Sequence, residues 1–132
     1  MNTKNNHTQE WLKQAEYDLA TAKMMFKTGR YIYCVFMCHL SLEKILKASY
    51  IKNLEKNPPK VHNLVYLVTA QKLNLPKLIT DFLDDLNEIS VPTRYPQELA
   101  KILVEYNKKK TQEIFNKTTE AFLCLKKRLK KS

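Results

Sequence analysis

Apolar positions recur at three- and four-residue steps along most of the chain. After a polar start, Thr8 precedes Trp11, Leu12, Ala15, Leu19, Ala22, Met25 and Phe26, the spacing of one helix face. A first helix is expected from about Thr8, with Thr8 as its N-cap. Gly29, followed at once by a new apolar run, suits its end and a tight link to the next helix. Residues 30–54 predict a second helix whose first half, YIYCVFMCHL, is apolar on nearly every side and belongs at the centre. Pro58 and Pro59 in KNPPKVHNL break the helical pattern. From His62, Leu64, Val65, Leu67 and Val68 give a short third helix, and Pro76 can start a fourth carrying Leu78, Ile79, Phe82, Leu83, Leu86 and Ile89. Pro92 and Pro96 in SVPTRYPQ predict an ordered turn or extended connector that presents Arg94 on a loop. A last helix is expected from about Glu105 through Ile114, Phe115, Thr118, Phe122 and Leu125 to the basic end KKRLKK, where cations suit the helix dipole. Five helices with short connections predict an all-α, up-and-down antiparallel four/five-helix bundle.

Composition agrees. The chain has 132 residues, the length of one domain, with 44% apolar and 27% charged residues, a globular balance. Gly29 is the single glycine, which leaves few positions for the tight turns of an all-β fold. The formal net charge of +10 suits an anionic partner such as nucleic acid, a nucleotide phosphate or an acidic protein, or else reflects lysines scattered over solvated helix faces. Cys34, Cys38 and Cys124 are odd in number and lie in apolar helical stretches, the pattern of reduced core thiols and a cytoplasmic protein. No basic stretch leading into an apolar signal core opens the chain. The longest apolar run, 31–42, falls short of the roughly 20 residues of a membrane-spanning helix.

Several polar residues do not fit a plain bundle. His39, Glu43 and Lys47 follow one another at four-residue steps on the second helix and share a face. They form either an exposed ion pair or the wall of a polar cavity. Lys44 lies about 100° round the helix from Glu43 and points elsewhere. Asp18 falls between Ala15 and Ala22 on the first helix, so it is expected to be partly buried and paired with Lys44, Lys47 or Arg94. His62 can cap the third helix or donate to a backbone carbonyl. Cys34, Cys38 and His39 lack a fourth ligand, so no metal and no cofactor are predicted. Glycine-rich phosphate loops, nucleophile elbows and H-E-x-x-H pairs are absent from the sequence.

Taken in order, AEYDLATA at 15–22, SLEKILKA at 41–48, VHNL at 61–64 and TRYPQ at 93–97 resemble the HEPN domain family. The resemblance implies one HEPN-like helical-bundle domain over 1–132 that often forms homodimers and acts near nucleotides or RNA. It also implies a small nucleotidyltransferase partner, with the toxin–antitoxin associations such pairs carry, and no membrane. Asp18, Glu43, Lys44, Lys47, His62, Arg94 and Tyr95 match the family motif and would line or support a cleft between helices. Arg94 would grip phosphate through two hydrogen bonds, and Tyr95 would stack on a base or pack the turn. Many HEPN proteins are metal-independent RNases that use an arginine followed four to six residues later by a histidine. Here the histidines are His7, His39 and His62, and the arginine nearest before His39 is Arg30, too distant for that pattern. A non-catalytic binding module is therefore the leading expectation. An RNase with His39 or His62 as substitute base is the second, and a purely structural oligomerisation unit is the third. The apolar first half of the second helix motivates the homodimer.

Overall fold

A computed structural model describes the backbone of residues 3–94 and 99–130 and the side chains of 6–89 and 100–130. Among the described residues there are six helices: α1 (Thr3–Lys27), α2 (Tyr31–Leu54), α3 (Leu64–Ala70), α4 (Lys77–Arg94), α5 (Leu99–Glu105) and α6 (Lys108–Lys130). The fold is all-α, with one segment more than the five expected. The residues after Leu99 form a separate helix, α5, and α6 begins at Lys108, with the Asn107 side chain accepting from the Lys110 N–H at its start.

Local chemistry sets the joints. α1 ends in a Schellman turn: the Arg30 N–H donates to Met25 O at 2.8 Å and the Gly29 N–H to Phe26 O at 3.1 Å, with Gly29 at φ 78°. α3 ends in the same pattern, where Leu73 N–H bonds Val68 O and Lys72 N–H bonds Thr69 O, although the left-handed position is Lys72 at φ 55°. Asn63 caps the start of α3, its side chain accepting from the Tyr66 N–H at 3.0 Å.

Two sequence expectations about helix ends are corrected. Thr8 is not an N-cap. α1 begins at Thr3, because nothing between Thr3 and Thr8 interrupts a helix, and Thr8 lies buried within it. Arg94 is not on a loop. α4 continues through Pro92 to Arg94, since a proline removes one backbone donor without stopping a helix already packed along Ile79, Phe82, Leu83, Leu86 and Ile89. Tyr95 lies outside the described residues, as does the Arg94 side chain.

Paired residues give the helix directions. Phe26 stacks on Phe115 with centroids 6.4 Å apart while Lys126 meets Glu16, so α1 and α6 are antiparallel. Lys52 donates to Leu129 O while Cys38 bonds Thr118, so α2 and α6 run the same way. Asn87 bonds Asn63 while Thr80 shares a groove with Val68 and Thr69, so α4 runs against α3, which runs along α2. The four long helices α1, α2, α4 and α6 therefore alternate up and down. α2 is central: Cys34, Val35, Cys38, Leu42, Ile45, Leu46 and Ala48 are inaccessible to solvent. None of the helices among the described residues is long and apolar enough to cross a membrane.

Candidate functional site

α2 repeats its apolar residues too densely for one face, so polar residues on it are carried into the interior with the rest. His39, Glu43 and Lys47 are all buried, at 1%, 3% and 6% exposure. The alternative of a solvated surface ion pair is thereby removed. Lys47 Nζ donates to Glu43 Oε2 at 3.0 Å and sits 5.6 Å from the centroid of the Trp11 ring on α1, whose face attracts the cation. His39 Nδ1 approaches Glu43 Oε1 at 3.8 Å, beyond hydrogen-bond distance.

His62 completes the group from another element. It stands in the connector before α3, and its Nδ1 lies 3.0 and 3.1 Å from the two oxygens of Glu43. Capping of α3 falls to other groups, Asn63 Oδ1 accepting from the Tyr66 N–H and Asn87 Oδ1 from the Leu64 N–H at 2.9 Å, and His62 Nδ1 faces a carboxylate in place of the expected backbone carbonyl. The His62 side chain is 64% exposed, so the cluster runs from a buried carboxylate to the surface through one imidazole ring.

Asp18 and Lys44 form a second pair across α1 and α2. Asp18 is buried, and Lys44 Nζ lies 2.9 Å from its Oδ2. The contact is ionic more than directional, because that oxygen receives no well-aligned hydrogen bond. Of the three partners the sequence allowed, the structure selects Lys44. Lys47 is taken by Glu43, and the Arg94 side chain lies outside the described residues. α4 runs from Asn87, which bonds Asn63 beside His62, to Arg94 seven positions on, about 10 Å at the rise of an α-helix. Since α4 opposes α2, that step leads toward the half of α2 that holds His39.

Two of the three thiols lie in the core, and Cys124 is half-buried. Cys34 and Cys38 are fully buried; a hydrogen bond from Cys38 lowers the Cys34 thiol from its ordinary value, and the same bond together with burial raises Cys38 well above it. Among the described residues no group of His, Cys, Asp and Glu is arranged to hold a metal ion. Glu43 with its two histidines is not such a group, because the Lys47 ammonium already occupies the carboxylate.

Sequence reasoning missed Trp11 as a member of the cluster. Its only signal was the place on the apolar face of α1, which marks a core residue as readily as a cation's neighbour. It also missed a neutral network about a turn and a half further along α2. There Ser49 Oγ donates to Gln71 Oε1 at 2.7 Å, Asn53 Nδ2 donates to both, and Gln71 Nε2 donates to Leu46 O and Leu67 O at 3.0 Å each.

A sequence model of the HEPN domain matches residues 8–129. No curated protein sequence matches the chain. Two solved structures share the fold. TT1696 from Thermus thermophilus is similar with a TM-score of 0.78 at 18% identity, covering 92% of this chain and 98% of its own. ST0689, described as an archaeal HEPN homologue, gives 0.73 at 21%, covering 94% and 98%. At these identities the likeness carries the fold alone.

Proposed function

The chain belongs to the HEPN domain family, and from that premise we propose that it is a nucleotide- or RNA-binding module that works with a small nucleotidyltransferase, without cleaving its ligand. The observation that supports this most is the Glu43 cluster. A buried ion pair stabilises a fold little or not at all compared with apolar side chains of the same size, because desolvation offsets the attraction. Holding Glu43, Lys47 and His39 inside α2 is therefore better explained by a role at the surface they reach through His62. The charge of +10 favours a polyanion there. In this reading His62 meets the ligand, while Lys44, Asp18, Lys47, Glu43 and His39 hold the helix faces around it. Arg94, at the end of α4, binds phosphate, with Tyr95 beside it. The protein acts as a homodimer in the cytoplasm, and the exposed Tyr33 and the half-buried Phe36 and Met37 of α2 contribute to the contact.

The second reading is a metal-independent RNase, favoured by one observation: an exposed histidine held by a carboxylate. Both are tested by incubating the purified protein with structured and unstructured RNA in chelator, and measuring retention and cleavage for wild type and Arg94→Ala. Salt-dependent retention with intact RNA, weakened in Arg94→Ala, is the expected result. Cleavage that Arg94→Ala abolishes would replace the first reading with the second. No retention at any ionic strength, and no thermal shift with nucleotides, would leave a structural oligomerisation unit.

A further inference from the structure

The hydrogen bonding of His62 constrains what its outer edge can recognise. Glu43 offers only acceptors: Oε2 takes a hydrogen bond from Lys47 Nζ at 3.0 Å, and both oxygens face His62 Nδ1 at 3.0 and 3.1 Å. Nδ1 must therefore carry the hydrogen. In a neutral imidazole that assigns the lone pair to Nε2, because one ring nitrogen donates and the other accepts. A carboxylate behind one nitrogen fixes both the tautomer and the ring direction, so the lone pair of the opposite nitrogen points a set way.

The ring is 64% exposed while Glu43 is buried, so the fixed edge lies inward and Nε2 is presented at the surface. His39, at 1% exposure, offers no such edge although it belongs to the same cluster. A surface acceptor with a fixed direction selects a ligand that donates. Phosphate oxygens cannot donate, and the exposed Lys60, two positions before His62, already suits phosphate. The donor on a nucleic-acid backbone next to those phosphates is the ribose 2′-hydroxyl, the group that distinguishes RNA from DNA.

We propose that His62 Nε2 accepts a hydrogen bond from a ribose 2′-hydroxyl, with Glu43 as its positioning residue, so that the site selects RNA over DNA. This rests on the nucleic-acid-binding reading above. The test uses one unstructured RNA oligonucleotide and its deoxyuridine-containing DNA counterpart, titrated in chelator at matched ionic strength against wild type, His62→Phe and His62→Ala. Wild type is expected to prefer RNA by roughly fivefold, the size of one neutral hydrogen bond. His62→Phe keeps a ring for stacking but loses the acceptor, and is expected to bind RNA and DNA alike. Equal binding of both by wild type overturns the proposal, and so does a preference that survives in His62→Phe. An equal fall of both affinities in His62→Phe also overturns it, because His62 would then touch a phosphate or a base edge. Failure of wild type to bind either oligonucleotide would instead remove the nucleic-acid-binding reading itself.

The tautomer has its own readout. Nitrogen-15 spectra of the imidazole, recorded under alkaline conditions where an ordinary imidazole is neutral, are expected to show a protonated Nδ1 and a bare Nε2. In Glu43→Gln a mixture of tautomers is expected, since an amide can donate as well as accept. A protonated Nε2 in wild type would overturn the proposal without any ligand.

Discussion

Two polar networks lie about a turn and a half apart on the same helix, and they end differently. Around Gln71, each bond made by Ser49, Asn53 and Gln71 returns to another member or to a carbonyl of α2 or α3. Around Glu43, the bonds run outward from Lys47 and the carboxylate to an imidazole that is mostly in solvent. A network that closes on itself fixes how two helices meet, and its neutral groups are inexpensive to bury once satisfied. A network of charges that opens at the surface is a poor way to join helices and a good way to hold one group toward a ligand. The contrast predicts that stability and binding separate between the two.

The largest effect is expected at Glu43. Glu43→Ala leaves the Lys47 ammonium buried without its carboxylate, and should lower unfolding free energy by about 3–5 kcal/mol. The double change Glu43→Met with Lys47→Met removes both charges and should recover most of that loss while RNA retention stays low. Urea denaturation of the three proteins checks this, and a single-mutant cost below about 1 kcal/mol would mean the cluster is solvated like any surface pair. Gln71→Ala comes next. It strands Ser49 at a buried joint and should cost about 1–3 kcal/mol, with RNA retention unchanged. A matching loss of retention would erase the distinction between the networks. The smallest effect on stability belongs to His62→Ala, expected within about 0.5 kcal/mol because the ring is exposed, although its effect on RNA selection should be the clearest of the three. Denaturation midpoints far below wild type would show that His62 is a strut of the connector and not its outward contact.

Much of this protein was readable along the chain. The three- and four-residue spacing of apolar positions determined that α1, α2, α4 and α6 are helices, because only that period puts Leu12, Ala15 and Ala22, or Ile114, Phe122 and Leu125, on one buried face. Gly29 marked the turn into α2, since a left-handed residue is easiest without a Cβ. The family motifs named the polar positions, and the four-residue steps predicted that Glu43 and Lys47 would pair. Tertiary structure decided the rest. Whether that pair was solvated depended on what covers α2, and the covering comes from residues distant in sequence, with Trp11 on one side and the connector at His62 on the other. Asp18 had three possible partners by charge, and only the packing of α1 on α2 selected Lys44. Pro92 argued locally for a break, but the packed stripe of α4 carried the helix on to Arg94, because a fold-wide gain in burial outweighs one lost backbone bond. Periodicity is a property of neighbours along the chain and is written in it; the direction of His62 depends on an acceptor nineteen positions away, and exists only once the bundle has closed.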